Sequence, residues 1–331
     1  MKILYIIGNG FDLNLGLKTS YKDFYDYYKS IDSPKNSINN LKNNISNNYK
    51  NWSDLELALG QYTEEIKTIN EFDEVFEDIG EQLAEYLKRE EAKFEVTKVS
   101  KEKFYANLVK PEAFLSVAEN NKIIDYKNKF NNQNWVVDII TFNYTTIIDN
   151  IIGKQMNIKI GSHPSSNNST SVTLRSLEHI HGYADDRMVL GVNDISQLKN
   201  KEFHTNIDVL EAIVKEKCNA AYGHNVDNQF KNKIKQADLI SIFGASIGDT
   251  DNIWWEQIGN RLKVAQIPIL IFTKGEEVIS PRIGYKNNRT KRKMLDYFLK
   301  KTKLGKEEID KISQNIFIAL DTPMFKEILK S

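Results

Sequence analysis

The chain has 331 residues, enough to bury a sizeable core in one large α/β domain or in a core domain with an insertion. Lysine plus arginine and aspartate plus glutamate number 45 each, so no net field draws the chain to nucleic acid or an anionic membrane, and neither is an expected partner. Its one cysteine, Cys218, excludes an internal disulfide and a thiolate-rich zinc site, and no stretch is apolar for long enough to span a bilayer; a cytoplasmic protein without a metal is expected.

The first predicted element is a buried strand, KILYII (residues 2 to 7), which runs into the turn GNGFDLNLG. Gly8 and Gly10 can adopt positive φ and bring a ligand against the main chain. The helix that follows would aim unpaired N–H groups at an anion, which is how a parallel α/β domain grips a diphosphate. Gly8, Asn9, Gly10, Asp12 and Gly16 are therefore candidate ligand-binding residues.

More than a hundred residues then read mostly as helix, and 20–130 is predicted to be a helical insertion or lid subdomain. Phe72, Val75, Phe76, Ile79, Leu83 and Leu87 recur at helical spacing, as a core stripe requires. The asparagine-rich stretch from Asn36 to Asn51 reads as a loop. In NWSDLELAL, Ser53 is the predicted N-cap, with Glu56 three residues on in the capping-box position.

A second buried strand, WVVDIITF (135 to 142), leads into Asn143, Tyr144 and Thr145. Ligands bind at the carboxyl edge of open α/β sheets, and an asparagine there can orient a hydroxyl or water with both donor and acceptor. It can equally cap the following helix. SSNNSTS (Ser165 to Ser171) reads as a loop, and HIHG and MVLGV, within 179 to 192, as short strands. His181, beside Gly182, is a candidate base. His179 would point to the opposite face of an extended segment and is the weaker candidate.

DLISIFGAS (238 to 246) repeats the strand-then-glycine pattern, so Gly244 and Ser246 are candidate ligand contacts. Asp249 and Asp251 can bond ribose hydroxyls, and at least one is expected to cap the next helix. IPILIFT (267 to 273) and NIFIAL (315 to 320) complete the strands, with a basic run, KNNRTKRK (286 to 293), between them that reads as a solvated helix start. Val/Ile runs separated by helical segments indicate a doubly wound, Rossmann-like parallel α/β sheet with a large helical insertion after the first strand.

GNGFDLNLGLKTSYKDF (8 to 24), NWSDLE (51 to 56), TFNYTTIID (141 to 149), HIHG (179 to 182) and GASIGDTD (244 to 251), in this order, resemble the AbiH family of bacterial phage-defence proteins. More distantly the chain resembles the sirtuin-type NAD-binding fold. That resemblance implies NAD as substrate or ligand, with its diphosphate at Gly8, Gly10 and Gly16. It implies Asn143 beside the nicotinamide ribose, His181 as base, Gly244 and Ser246 along the dinucleotide, and Thr273 near the adenosine end. Asp12 stands where sirtuins usually carry serine, Thr145 where they carry aspartate, and the four zinc cysteines are missing, which argues against protein deacylation and leaves NAD hydrolysis. Leu13 breaks GxGxxG and argues against a dehydrogenase.

The expected function is thus an abortive-infection effector that binds NAD or a related nucleotide and cleaves its nicotinamide–ribose bond. Asp12 or Glu56 would give electrostatic support. Such an enzyme would poison its own cell, so control by a homo-oligomer, by movement of the helical insertion, by a phage-derived trigger or by a companion defence protein is expected. The alternatives are a nucleotide-sensing module without catalysis and a metal-dependent nuclease toxin using Asp249, Asp251 and the 286 to 293 run.

Overall fold

The computed structural model describes residues 1–165, 169–275 and 285–329. Seven strands form one sheet in the order β3-β4-β2-β1-β5-β6-β7. They are β1 (Lys2–Ile7), β2 (Trp135–Thr141), β3 (Ile158–Pro164), β4 (Ser169–His179), β5 (Leu239–Phe243), β6 (Ile269–Thr273) and β7 (Ile316–Leu320). All neighbours pair in parallel except β3 and β4, which form an antiparallel pair at one edge.

The central strands are largely apolar on both faces because helices cover both. Ile3, Tyr5 and Ile7 of β1 join one core with Val137, Ile139, Leu270 and Phe272, whereas Leu4 and Ile6 join the opposite core with Ile240, Ile242 and Ile271. Side chains alternate across a strand, so a run without polar residues needs two such cores. Among the described residues, no helix is long and apolar enough to cross a membrane.

The stretch 20–130 divides in two. Its first part packs Phe24, Trp52, Leu59, Phe72, Ile79 and Leu83 into a third core, together with Tyr144, Leu190 and Val192. Its second part, including the helices Lys101–Val109 and Val117–Asn128, puts Phe104, Leu108 and Ile123 into the core of one sheet face. The first part is therefore a layer beside the turn after β2, and the second belongs to the sandwich.

Three expectations need correction. Asn36–Asn47 is a helix, because Ile38, Leu41 and Ile45 sit at helical spacing and are buried despite the asparagines around them. The loop read at Ser165 to Ser171 has its last three residues in β4, while 166–168 lie outside the described residues. Finally, β4 ends at His179, and MVLGV is not a strand: Val192 makes only an isolated bridge to Val214.

The chain leaves β1 toward β2 but leaves β5 toward β6, so the order reverses between these two neighbours. Such a switch point opens a crevice at the carboxyl ends of the strands. The two glycine turns meet there. Gly8 N–H donates to the Phe243 carbonyl and Gly10 N–H to the Gly244 carbonyl, both at 2.9 Å. A Cβ on Gly10 would lie 2.5 Å from Gly244 Cα, and one on Gly8 2.6 Å from Ala245 Cα.

The expected role of these glycines is thus revised. Their amides are not bare and neither has positive φ; they are glycines because two backbones touch. Gly244, at φ +63, needs both the conformation and the space.

Gly10→Ala should cost roughly 2 kcal/mol or more, because its obstacle is backbone that cannot rotate away. Gly80→Ala, inside Ile69–Glu91 with its nearest neighbour 3.9 Å away, should instead gain roughly 0.5–1 kcal/mol. Urea unfolding of both variants checks the contrast; equal shifts would contradict the contact argument.

Candidate functional site

A cavity of about 950 Å³ lies over the switch point. Its lining includes Gly8, Asn9, Gly10 and Asp12 from the first turn, Asn143 after β2, His181 after β4, Gly244, Ser246 and Asp251 after β5, and Thr273 at the end of β6. The fold thus brings together the candidate site residues except Gly16 and the secondary candidates His179 and Asp249. Gly16 is outside this lining; at φ +89 it follows the five-residue helix Gly10–Asn14, and its N–H donates to the Leu13 carbonyl.

Asp12 is buried beneath Asn143. Its Oδ1 accepts from Asn143 Nδ2 at 3.0 Å and its Oδ2 from the Thr145 hydroxyl at 2.6 Å. A carboxylate only accepts, so this contact sets which way the amide faces and leaves Asn143 Oδ1 buried without a partner among the described residues. The capping alternative for Asn143 is not what forms: the following helix, Ile147–Ile152, begins at Thr146 without a side-chain cap. His179 holds the same residue from behind, with Nδ1 donating to the Asn143 carbonyl at 2.9 Å and Nε2 lying 2.8 Å from Asp149 Oδ2.

Burial pushes the Asp12 carboxyl up to about 7, against the pull of the Thr145 and Asn143 hydrogen bonds. Near neutral pH it therefore exchanges a proton where it orients the asparagine.

The second cluster surrounds Lys215. Its Nζ lies 2.9 Å from Glu56 Oε2 and 2.8 Å from Asp251 Oδ1, and Asp251 Oδ1 also lies 2.9 Å from His181 Nε2. All four residues are buried. Burial alone would lower the lysine and raise the aspartate, but their mutual attraction wins: Lys215 is held above its ordinary value and Asp251 below, with His181 also pulling on Asp251. The Tyr144 hydroxyl donates to Glu56 Oε1 at 2.9 Å.

Lys215 Nζ is a looser neighbour of His181 Nε2, at 3.4 Å. The closer carboxylate calls for a proton on Nε2, which leaves Nδ1 as the lone-pair nitrogen, buried and without a partner among the described residues. A histidine so held, on the same cavity as an asparagine with an unpaired carbonyl oxygen, can accept a proton from a hydroxyl or water that the asparagine orients.

The helix-start chemistry differs from expectation at two places. Asp54, not Ser53, is the N-cap of Leu55–Tyr62, accepting from Leu57 N at 3.1 Å, so Glu56 is released to Lys215. Asp251 occupies the N-cap position of Asn252–Ala265 without a side-chain cap bond; Asn193 Oδ1 accepts from Ile253 N instead, at 3.1 Å. Asp249 turns outward to Lys301, so the two aspartates do not converge on one ion. The 286 to 293 run lies within the helix Tyr285–Lys301.

Sequence reasoning missed Lys215. Its one signal is that Lys215, Cys218 and Asn219, at helical spacing, share a buried face.

Asp12 also makes stability depend on pH. The folded chain binds its proton more tightly than the unfolded chain, whose value is near 3.8, so the stability from this group is full below that value and is lost as pH rises toward 7. Between pH 5 and pH 8 wild type should lose about 3 kcal/mol relative to Asp12→Asn. Urea unfolding at the two pH values measures it, and parallel profiles would contradict the assignment.

A family model described as "Bacteriophage abortive infection AbiH" matches residues 4–273. A search of curated proteins returns no match. The matched span runs from within β1 to the end of β6 and takes in both glycine turns, Asn143, His181 and Lys215. The chain belongs to the AbiH family of bacteriophage abortive infection proteins.

Proposed function

We propose that the cavity is a sirtuin-like pocket for NAD, and that the protein is a cytoplasmic abortive-infection effector that hydrolyses the nicotinamide–ribose bond. The observation that carries this reading is the pair of oriented, unpartnered acceptors on one cavity: His181 Nδ1, with Nε2 tied to Asp251, and Asn143 Oδ1, with Nδ2 tied to Asp12. The cavity volume, near the upper end of the roughly 300–1,000 Å³ usual for small-molecule and cofactor sites, suits an extended ligand such as a dinucleotide. Its place at the switch point is where open α/β sheets bind ligands.

The chemistry asks little beyond positioning. The C1′–N bond breaks with its electron pair going to the cationic nicotinamide ring, which leaves neutral, so no general acid is needed. Water adds at C1′ and its proton passes to His181 Nδ1, while Asn143 Oδ1 accepts a hydrogen bond from the water or from a ribose hydroxyl. Glu56 and Asp251, behind His181, favour the positive charge that develops on the sugar.

Purified protein incubated with NAD, with and without phage lysate, should release nicotinamide and ADP-ribose, as read by chromatography. His181→Ala and Asn143→Ala should each lower the rate by about 100-fold or more. A stable NAD complex with no nicotinamide released under either condition would point to a sensor, and variants as fast as wild type would refute the catalytic assignment.

A further inference from the structure

Asp54 has no part in the Lys215 contacts just described. One of its oxygens, Oδ1, caps the helix Leu55–Tyr62. The other, Oδ2, sits over Gly248, whose added Cβ would lie 3.4 Å from it, and both residues line the cavity. With Glu56 and Asp251 it makes three carboxylates near one ammonium, Lys215, and all three line the same cavity as His181. Lys215 hydrogen-bonds two of the three, but one ammonium offsets only one of their charges, so this wall is net negative and Asp54 adds to it without an ammonium contact of its own. The same cavity is lined by His181 and Asn143, whose buried Nδ1 and Oδ1 have no partner among the described residues and are open to a ligand's hydrogen bonds.

Resting on the NAD reading above, we infer that the Asp54 carboxylate recognises positive charge on the ligand and so selects the oxidised, cationic nicotinamide ring over the neutral dihydronicotinamide of NADH. The groups facing Asp54 are Glu56 on its own helix, Lys215, Asp251, and the Tyr21 and Tyr25 phenols. Burial, then the neighbouring Glu56, push its carboxyl up to about 6, against the Leu57 N–H and Lys215. It is therefore an anion at pH 7.5 and protonated at pH 5.

Asparagine caps a helix as well as aspartate does, so Asp54→Asn removes the charge and keeps the helix start; Asp54→Ser is a second variant of the same kind. The probes are carba-NAD⁺, which keeps the cationic ring but resists hydrolysis, and NADH, each titrated into the full-length protein by calorimetry. Wild type at pH 7.5 should prefer carba-NAD⁺ by about tenfold. The preference should fall to within about twofold in both variants, and also in wild type at pH 5, with the variants unchanged between the two pH values. Variants that keep the wild-type preference, or that lose it only at pH 5, overturn the role of Asp54. Wild type that binds both probes equally overturns charge selection alone, whereas wild type that binds neither overturns the NAD reading on which it rests.

Discussion

The structure depends on a contact between two pieces of backbone. The turns after β1 and β5 press together with no room for a Cβ between them, and the Gly8 and Gly10 amides bond to carbonyls of the opposing strand end and turn. The two turns thereby fill the switch point of the sheet beneath the cavity. Phe11, the next residue, packs against Phe104, Phe243 and Phe325 and anchors the short helix. With Phe11 anchored, Asp12 is carried inward under Asn143, so a packing constraint in the first turn sets the orientation of a side chain that follows β2.

The charged groups of the site are costly to bury, and they are met by partners from distant parts of the chain. Glu56 comes from the helical layer, Lys215 from the segment after β4, and Asp251 from the turn after β5, yet they share one ion cluster. Removing one member of such a cluster leaves an uncompensated charge, typically worth about 3–5 kcal/mol. The helical layer is thus tied electrostatically to the histidine. The same layer reaches the other cluster through Glu91, whose carboxylate accepts from Thr146 N at 3.2 Å, just past Asn143 and Thr145. The layer is thereby bonded to the clusters around both His181 and Asn143.

Much of this was legible in the sequence. The parallel strands show as Val/Ile runs because burial on two faces leaves few polar positions, and the turns that follow them mark the carboxyl edge where the cavity lies. The antiparallel edge pair β3–β4 was not legible, since IKIGSHP and STSVTLRSLEH mix polar and apolar residues as an edge permits. Nor was the helix Asn36–Asn47, whose composition argues for a loop while only Ile38, Leu41 and Ile45 argue for burial. Local capping rules favoured Ser53 and one of two aspartates; instead Asp54 caps the first helix and Asn193 bonds to the start of the other.

By itself the sequence determined the α/β class, the chain order of the site segments and the residues that could carry chemistry, because these follow from periodicity and from functional groups. Tertiary structure decided what those residues face. That Gly8 and Gly10 serve a backbone contact, that Asp12 orients Asn143, and that Asp251 holds His181 instead of capping its helix are outcomes of packing. They depend on groups more than fifty residues apart meeting in a low-dielectric interior, where an unpaired charge or donor is too costly to leave alone.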